Sequence, residues 1–208
     1  EKLYESALQT IGNTYSNTAA AAQAGYLRAQ LFYNRGQQYN SFTNQAPQFD
    51  IKTAADLCDS VIKKFPKSEG AIHAQQLLAG ILQPSLKLET EKVNIPNQPF
   101  RTLVTYKNTP TLFFRIIQTT HEQAQSMIRN NNDEMWQKVS NLTAMKSWSI
   151  ALPDLKDFQL HSTEIKIEPL PKGMYMILSS LDPSFSTGKN IMALQTIYVS
   201  NISYIRNN

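Results

Sequence analysis

The chain has 208 residues, 41% of them hydrophobic and 17% charged, the proportions of a folded chain rather than a disordered one. Its net charge of +4 comes from single Lys and Arg scattered among acids, the densest group being Lys63, Lys64 and Lys67. That pattern argues against nucleic acid as a partner, because such footprints cluster basic residues on one face with interleaved aromatics. One cysteine, Cys58, excludes an internal disulfide, and no apolar run reaches the roughly 18 residues that span a bilayer.

The opening "LYESALQTIGN" reads as a short amphipathic helix. From Thr18, "TAAAAQAGYLRAQLFYNRGQQYN" places Ala24, Leu27, Leu31 and Asn34 on one stripe, with Tyr26, Ala29, Phe32 and Tyr33 beside it. Next, "DIKTAADLCDSVIKKFP" sets Ala54, Leu57, Cys58, Val61, Ile62 and Phe65 at helical steps, with Asp50 as N-cap and Pro66 as stop. A further helix, "SEGAIHAQQLLAGILQP", is capped by Ser68 and is expected to bury Ile72, Leu78 and Leu82. Small residues at regular places let helices approach closely, so antiparallel pairs are the expected packing.

Residues Ala29, Phe32 and Gly36, then Ala54, Val61 and Pro66, resemble the small, aromatic, glycine and proline positions of one tetratricopeptide unit. About thirteen extra residues, "NSFTNQAPQFDIK", part its two helices. A single unit cannot bury its own face, so it needs further partners to pack on.

After Pro84 the periodicity changes from three-to-four to two. "LKLETEKV" and "FRTLVTY" alternate, the latter with Phe100, Thr102, Val104 and Tyr106 on one face; "KNTP" turns, and "TLFFRIIQ" resumes as the second arm of an expected hairpin. "SWSIALP", "TEIKIEP", "GMYMILSS" and "MALQTIYVS" complete seven short strands, which predict a two-layer antiparallel sandwich. In "TEIKIEP", Ile165 and Ile167 face in while Glu164, Lys166 and Glu168 face water. Between Thr119 and Met145, "HEQAQSMIRN" and "NDEMWQKVSNLTAM" read as helix, the second with Met135, Trp136, Val139 and Leu142 on one stripe, and this insertion is expected to lie across one end of the sandwich. The fold class is therefore α+β in two domains: residues 1–84 as antiparallel helical hairpins, and 85–208 as a β-sandwich with a helical insertion at about 120–145.

The ordered motifs "LKLETEKVNIPNQPFRTLVTYKNTPTLFFRII", "LPDLKDFQLHSTEIKIEPLPKGMYMILSS" and "TIYVSNISYI" resemble the amino-terminal macroglobulin-type domain of large Bacteroidetes alpha-2-macroglobulin-like proteins, which also have a helical stretch before it. Tyr106, Lys107 and Asn108, then Leu170, Pro171, Gly173 and Tyr175, carry the match. The resemblance implies a non-catalytic segment of a protease-trapping protein, an endopeptidase inhibitor. Its partners would be proteases, met through the full-length protein, and adjacent macroglobulin-type domains of the same chain. It also implies export to the bacterial periplasm or outer-membrane surface, with a lipid anchor on a removed N-terminus. The helical start and the apolar "ISYIRNN" are read as cut from a longer chain. Cys58 lies in "LCDSV" and not in the Cys-x-Glu-Gln thioester motif of that family. Gly173 is expected to relieve the turn after Pro171, and Asn108 to take a left-handed turn conformation.

No catalytic, metal or cofactor set emerges. Cys58 with His73 suggests a nucleophile and base, yet Cys58 sits on an apolar stripe where a thiol is an inert hydrophobe. His73, His121 and His161 share no ligand spacing, and Glu164 and Glu168 read as solvent-facing charges. The alternative to a scaffold is a cell-surface peptide- or glycan-binding module, for which Trp136, Tyr33 and Tyr39 are the candidate platforms. A third reading is a cysteine hydrolase.

Overall fold

The computed structural model describes residues 2–128 and 133–201, so the end of "HEQAQSMIRN", the first residue of "NDEMWQKVSNLTAM" and all of "ISYIRNN" lie outside the described residues. The chain divides into two compact units: residues 1–83 with 155–159, and 84–154 with 160–208.

The first unit holds four helices: α1 (Lys2–Thr14), α2 (Ala19–Gly36), α3 (Asp50–Lys64) and α4 (Glu69–Leu82). Its core is built from small residues. Ala22, Ala29, Ala54, Cys58, Ala71 and Ala74 are fully buried, and close helix approach follows directly from their size. At Gly70 a methyl group would sit 2.6 Å from the Ala22 carbonyl, and at Gly36 it would sit 2.5 Å from Ile51 Cγ1, so both glycines are places where another backbone or side chain comes too near for a Cβ. Ser68 accepts a hydrogen bond from Ala71 N at 3.1 Å, which caps α4 as its sequence predicts. The α4 stripe, however, is displaced from the expected one. Ile72 and Leu82 are exposed and Leu78 is half-buried; Gly70, Ala71 and Ala74 face the core where the tight approach to α2 admits only small side chains, and Ile81 is buried further along in the cluster of Ile51, Ala54 and Ala55. Asp50 is not an N-cap either; it stands in the first turn of α3 and takes a two-pronged ion pair from Arg35, at 2.5 and 3.0 Å.

Residues Leu155–Gln159, which the sequence pattern assigns to the β region, belong to this helical unit. Phe158 packs on the cluster of Ile51, Ala54, Ala55 and Ile81. Gln159 and Asp157 are buried with it.

The second unit contains eight strands among the described residues: β1 (Ser85–Thr90), β2 (Val93–Asn94), β3 (Phe100–Lys107), β4 (Thr111–Thr119), β5 (Lys146–Ala151), β6 (His161–Ile167), β7 (Gly173–Ser180) and β8 (Met192–Val199). One sheet runs β1-β3-β6 and the other β2-β8-β7-β4-β5. All pairings are antiparallel except β2 with β8, a two-residue parallel ladder that the sequence pattern merges with β1.

The expected hairpin between β3 and β4 does not form. Both edges of β3 are taken by β1 and β6, and those of β4 by β5 and β7, so "KNTP" is a corner from one sheet to the other. Asn108 makes that corner at φ 55°, the left-handed region that asparagine tolerates. The difference follows from side-chain burial: β3 alternates, whereas β4 buries Leu112, Phe114 and Ile116 on one face and Ile117 on the other. A strand apolar on both faces belongs in the middle of a covered sheet.

What covers it is the insertion. Helices α5 (His121–Ile128) and α6 (Asp133–Ser140) lie against the outer face of the larger sheet rather than across an end, with Ala124, Met135 and Val139 packed on Ile117, Met176 and Leu178. The inner core, between the sheets, gathers Leu88, Val104, Phe114, Ile116, Ile167, Tyr175, Ile177 and Ile197. Strand β7 therefore sits between two apolar layers. Full burial of each such side chain is worth roughly 1.5–3 kcal/mol.

Candidate functional site

The seven residues that carry the family resemblance fall at two corners of the sandwich. Tyr106 is buried where β3 ends, and Lys107 and Asn108 begin the passage between sheets. Burial holds the Lys107 ammonium below its usual pKa. At the other corner Tyr175 is fully buried at the start of β7, and its hydroxyl donates 2.9 Å back to the Pro171 carbonyl. Gly173 takes an ordinary φ, so its role is not the turn freedom expected of it. A Cβ there would press on the Tyr175 ring at 3.1–3.2 Å, and the glycine leaves room for the ring to reach back.

An open cleft of about 800 Å³ lies beside α5 on the outer face of β8. Met174 and Ala124 supply apolar wall, while Lys92, His121, Thr196 and Tyr198 supply polar groups. His121 Nδ1 and the Tyr198 hydroxyl share a 3.0 Å hydrogen bond. Glu122 adds a carboxylate to the same lining, so the cleft mixes donors and acceptors beside an apolar wall, the composition of a binding hollow. Nothing in the sequence brings Lys92, His121 and Tyr198 together; only the β2-β8 pairing and the packing of α5 do so. A smaller hollow of about 270 Å³ is lined by Asp133, Trp136, Thr187 and Asn190.

The other sequence candidates are dispersed. Cys58 is fully buried among alanines, and burial, followed by the neighbouring Asp59, pushes its thiol up to about 11. A thiol so placed is neither exposed nor ionised at neutral pH. His73 lies on α4 with its ring 5.1 Å from that of Tyr26, and His161 opens β6 opposite Tyr106. Glu164 and Glu168 ion-pair with Arg101 and Lys166, Glu168 at 3.2 Å from its lysine. Among the described residues no group of three or more His, Cys, Asp or Glu is placed to hold a metal ion, and no helix is long and apolar enough to cross a membrane. Trp136, Tyr33 and Tyr39 are each half-buried.

No family model matches the chain, and no curated protein matches it. Among solved structures it is similar to the CARDB domain of the PF1109 protein from Pyrococcus furiosus, in a crystal structure in complex with di-metal ions and in a solution NMR structure. Each is 17% identical, with a TM-score of 0.32 over 56% of this chain, and covers 92% and 93% of the respective domain chains.

Proposed function

We propose that this chain is a non-catalytic structural segment of an alpha-2-macroglobulin-like protease-trapping protein of the Bacteroidetes kind, exported and tethered at the bacterial envelope. In this reading the helical unit is a tetratricopeptide-like prefix, and the sandwich is an immunoglobulin-like macroglobulin module that adjoins further modules of its type. The supporting observation is that the residues carrying the resemblance build the frame. Tyr106, Lys107 and Asn108 turn the chain between sheets, and Pro171, Gly173 and Tyr175 make the back-bonded tyrosine corner that immunoglobulin-type sandwiches use. The three-and-five strand order, with β7 central, fits the same architecture. The full-length gene product tests the reading: it requires a downstream series of similar sandwiches, and a stop codon shortly after Asn208 overturns it.

A second reading, a cell-surface module that binds a peptide or glycan, is favoured by the cleft at His121 and Tyr198 rather than by the half-buried aromatics. Calorimetric titration with a panel of short peptides and glycans is its test. Binding that is lost in Tyr198→Ala supports it, and absence of heat across the panel removes it.

A further inference from the structure

The helical unit holds a five-residue segment in the manner of a bound peptide. Gln159 directs its side-chain amide to two backbone carbonyls, Gly36 O at 3.0 Å and Gln48 O at 3.2 Å. Asp157 uses both carboxylate oxygens, one accepting from Gln159 N at 3.0 Å and the other from Gln48 Nε2 at 3.1 Å. Between them the half-buried Phe158 packs on the apolar cluster of Ile51 and Ile81, on which Phe32 and Tyr33 also pack. Asp157 is 2% exposed and Gln159 7%, whereas Leu155 and Leu160 on either side are 49% and 61% exposed. The inward-facing residues are thus confined to a stretch of three, bounded by exposed leucines.

The backbone points the same way. Lys156 and Phe158 have φ of 52° and 59°, a region that residues other than glycine adopt only when their surroundings hold them there. Local preference therefore does not produce this shape; the contacts do. On the receiving side, Gln48 comes from the thirteen-residue expansion that separates this unit from a tetratricopeptide repeat. That expansion is pinned by buried Pro47, and the Gly36 carbonyl closes α2. The extra residues thus have a use: they complete a site.

We propose that the helical unit carries a sequence-specific site for a short, turned peptide of the form Asp-aromatic-Gln, which the chain fills with its own Asp157, Phe158 and Gln159. The proposal goes beyond the scaffold reading and stands whether or not that reading holds. It assigns the segment the role of an internal clasp, and the partner class that competes for the site is a peptide with the same three side chains.

The test uses the whole chain and a fluorescently labelled synthetic peptide, LPDLKDFQLHS. In the variant Phe158→Ala/Gln159→Ala the site is emptied from within, so the peptide should bind in an anisotropy titration at least tenfold more tightly than to the unsubstituted chain. A peptide with alanine for its glutamine should bind the emptied variant at least tenfold more weakly. Equal binding to both chains, binding indifferent to the glutamine, or no binding by a variant with an unchanged circular dichroism spectrum would each overturn the proposal. Should the double variant fail to fold, Gln159→Ala alone provides the reading. Trypsin should cut it after Lys156 at least tenfold faster than the unsubstituted chain, and excess of the peptide LPDLQDFQLHS, which trypsin cannot cut, should speed cutting of the unsubstituted chain by displacing the segment; equal rates in the two chains, or a rate in the unsubstituted chain that excess peptide leaves unchanged, overturns the proposal.

Discussion

Replacing Gly70 by Ala adds one methyl group where the α4 backbone passes the α2 backbone. The new Cβ would stand 2.6 Å from both the carbon and the oxygen of the Ala22 carbonyl and 2.8 Å from Gln23 N. Ordinary contact begins near 3.4 Å, so the helices must part by about 0.8 Å, and neither side has a flexible chain end that can yield. Overpacking of this kind costs ~1–3 kcal/mol. Against it stands the helix propensity gained on losing glycine, ~1 kcal/mol in a helix interior and less in a first turn. Steric cost wins. We expect Gly70→Ala to destabilise the chain by ~1–2 kcal/mol, read as a lower urea midpoint by circular dichroism at 222 nm with an unchanged slope. Gly80, ten residues on in the same helix, is the control: a Cβ there meets nothing within 4 Å. Gly80→Ala should therefore stabilise by ~0.5–1 kcal/mol. A Gly70→Ala midpoint at or above that of the parent chain would refute the reasoning, and so would a loss of stability in Gly80→Ala.

Tyr175→Phe removes the hydroxyl that bonds Pro171 while keeping the ring, so thermal unfolding should show a loss of ~1 kcal/mol; no loss would mean the corner bond is idle. Ser68→Ala removes the side-chain cap of α4 and should cost ~1 kcal/mol in a urea titration, with Ser68→Asp recovering most of it. Because the Cys58 thiol is held up to about 11 in the folded chain against an ordinary 9.0, the fold binds that proton more tightly than the unfolded chain does. The associated stability is complete below pH 9 and is lost as the pH rises through 11. Cys58→Ala should flatten the alkaline decline between those values, and an identical pH profile in the variant would contradict the burial argument. Iodoacetamide at pH 8 should leave Cys58 unmodified in the native chain and label it in urea; rapid native labelling would contradict it equally.

The helices, seven of the eight strands and the face of each alternating strand are readable because their signals are local. Ser68 as a cap, the Cys58 stripe and the inward Ile165 and Ile167 all follow from spacing along one element. The β3-β4 corner differs from the expected hairpin because a hairpin turn and an inter-sheet corner use the same residues; only the two-faced burial of β4 separates them. The α4 stripe failed for a related reason. Hydrophobicity favours Ile72 and Leu82, but the proximity of α2 to α4 leaves space for Gly70, Ala71 and Ala74 instead. The cleft and the clasp were invisible for want of long-range pairing: His121 and Tyr198 are 77 positions apart, and Gln159 and Gly36 are 123 apart. A triplet such as Asp157-Phe158-Gln159 looks like any loop until its partners are known.

The scaffold reading is tested most directly by mixing the full-length protein with trypsin and following two substrates. Sequestration within a cage of sandwiches predicts that casein digestion falls while hydrolysis of a small amide substrate continues. Casein digestion that proceeds undiminished at a molar excess of the full-length protein would contradict it.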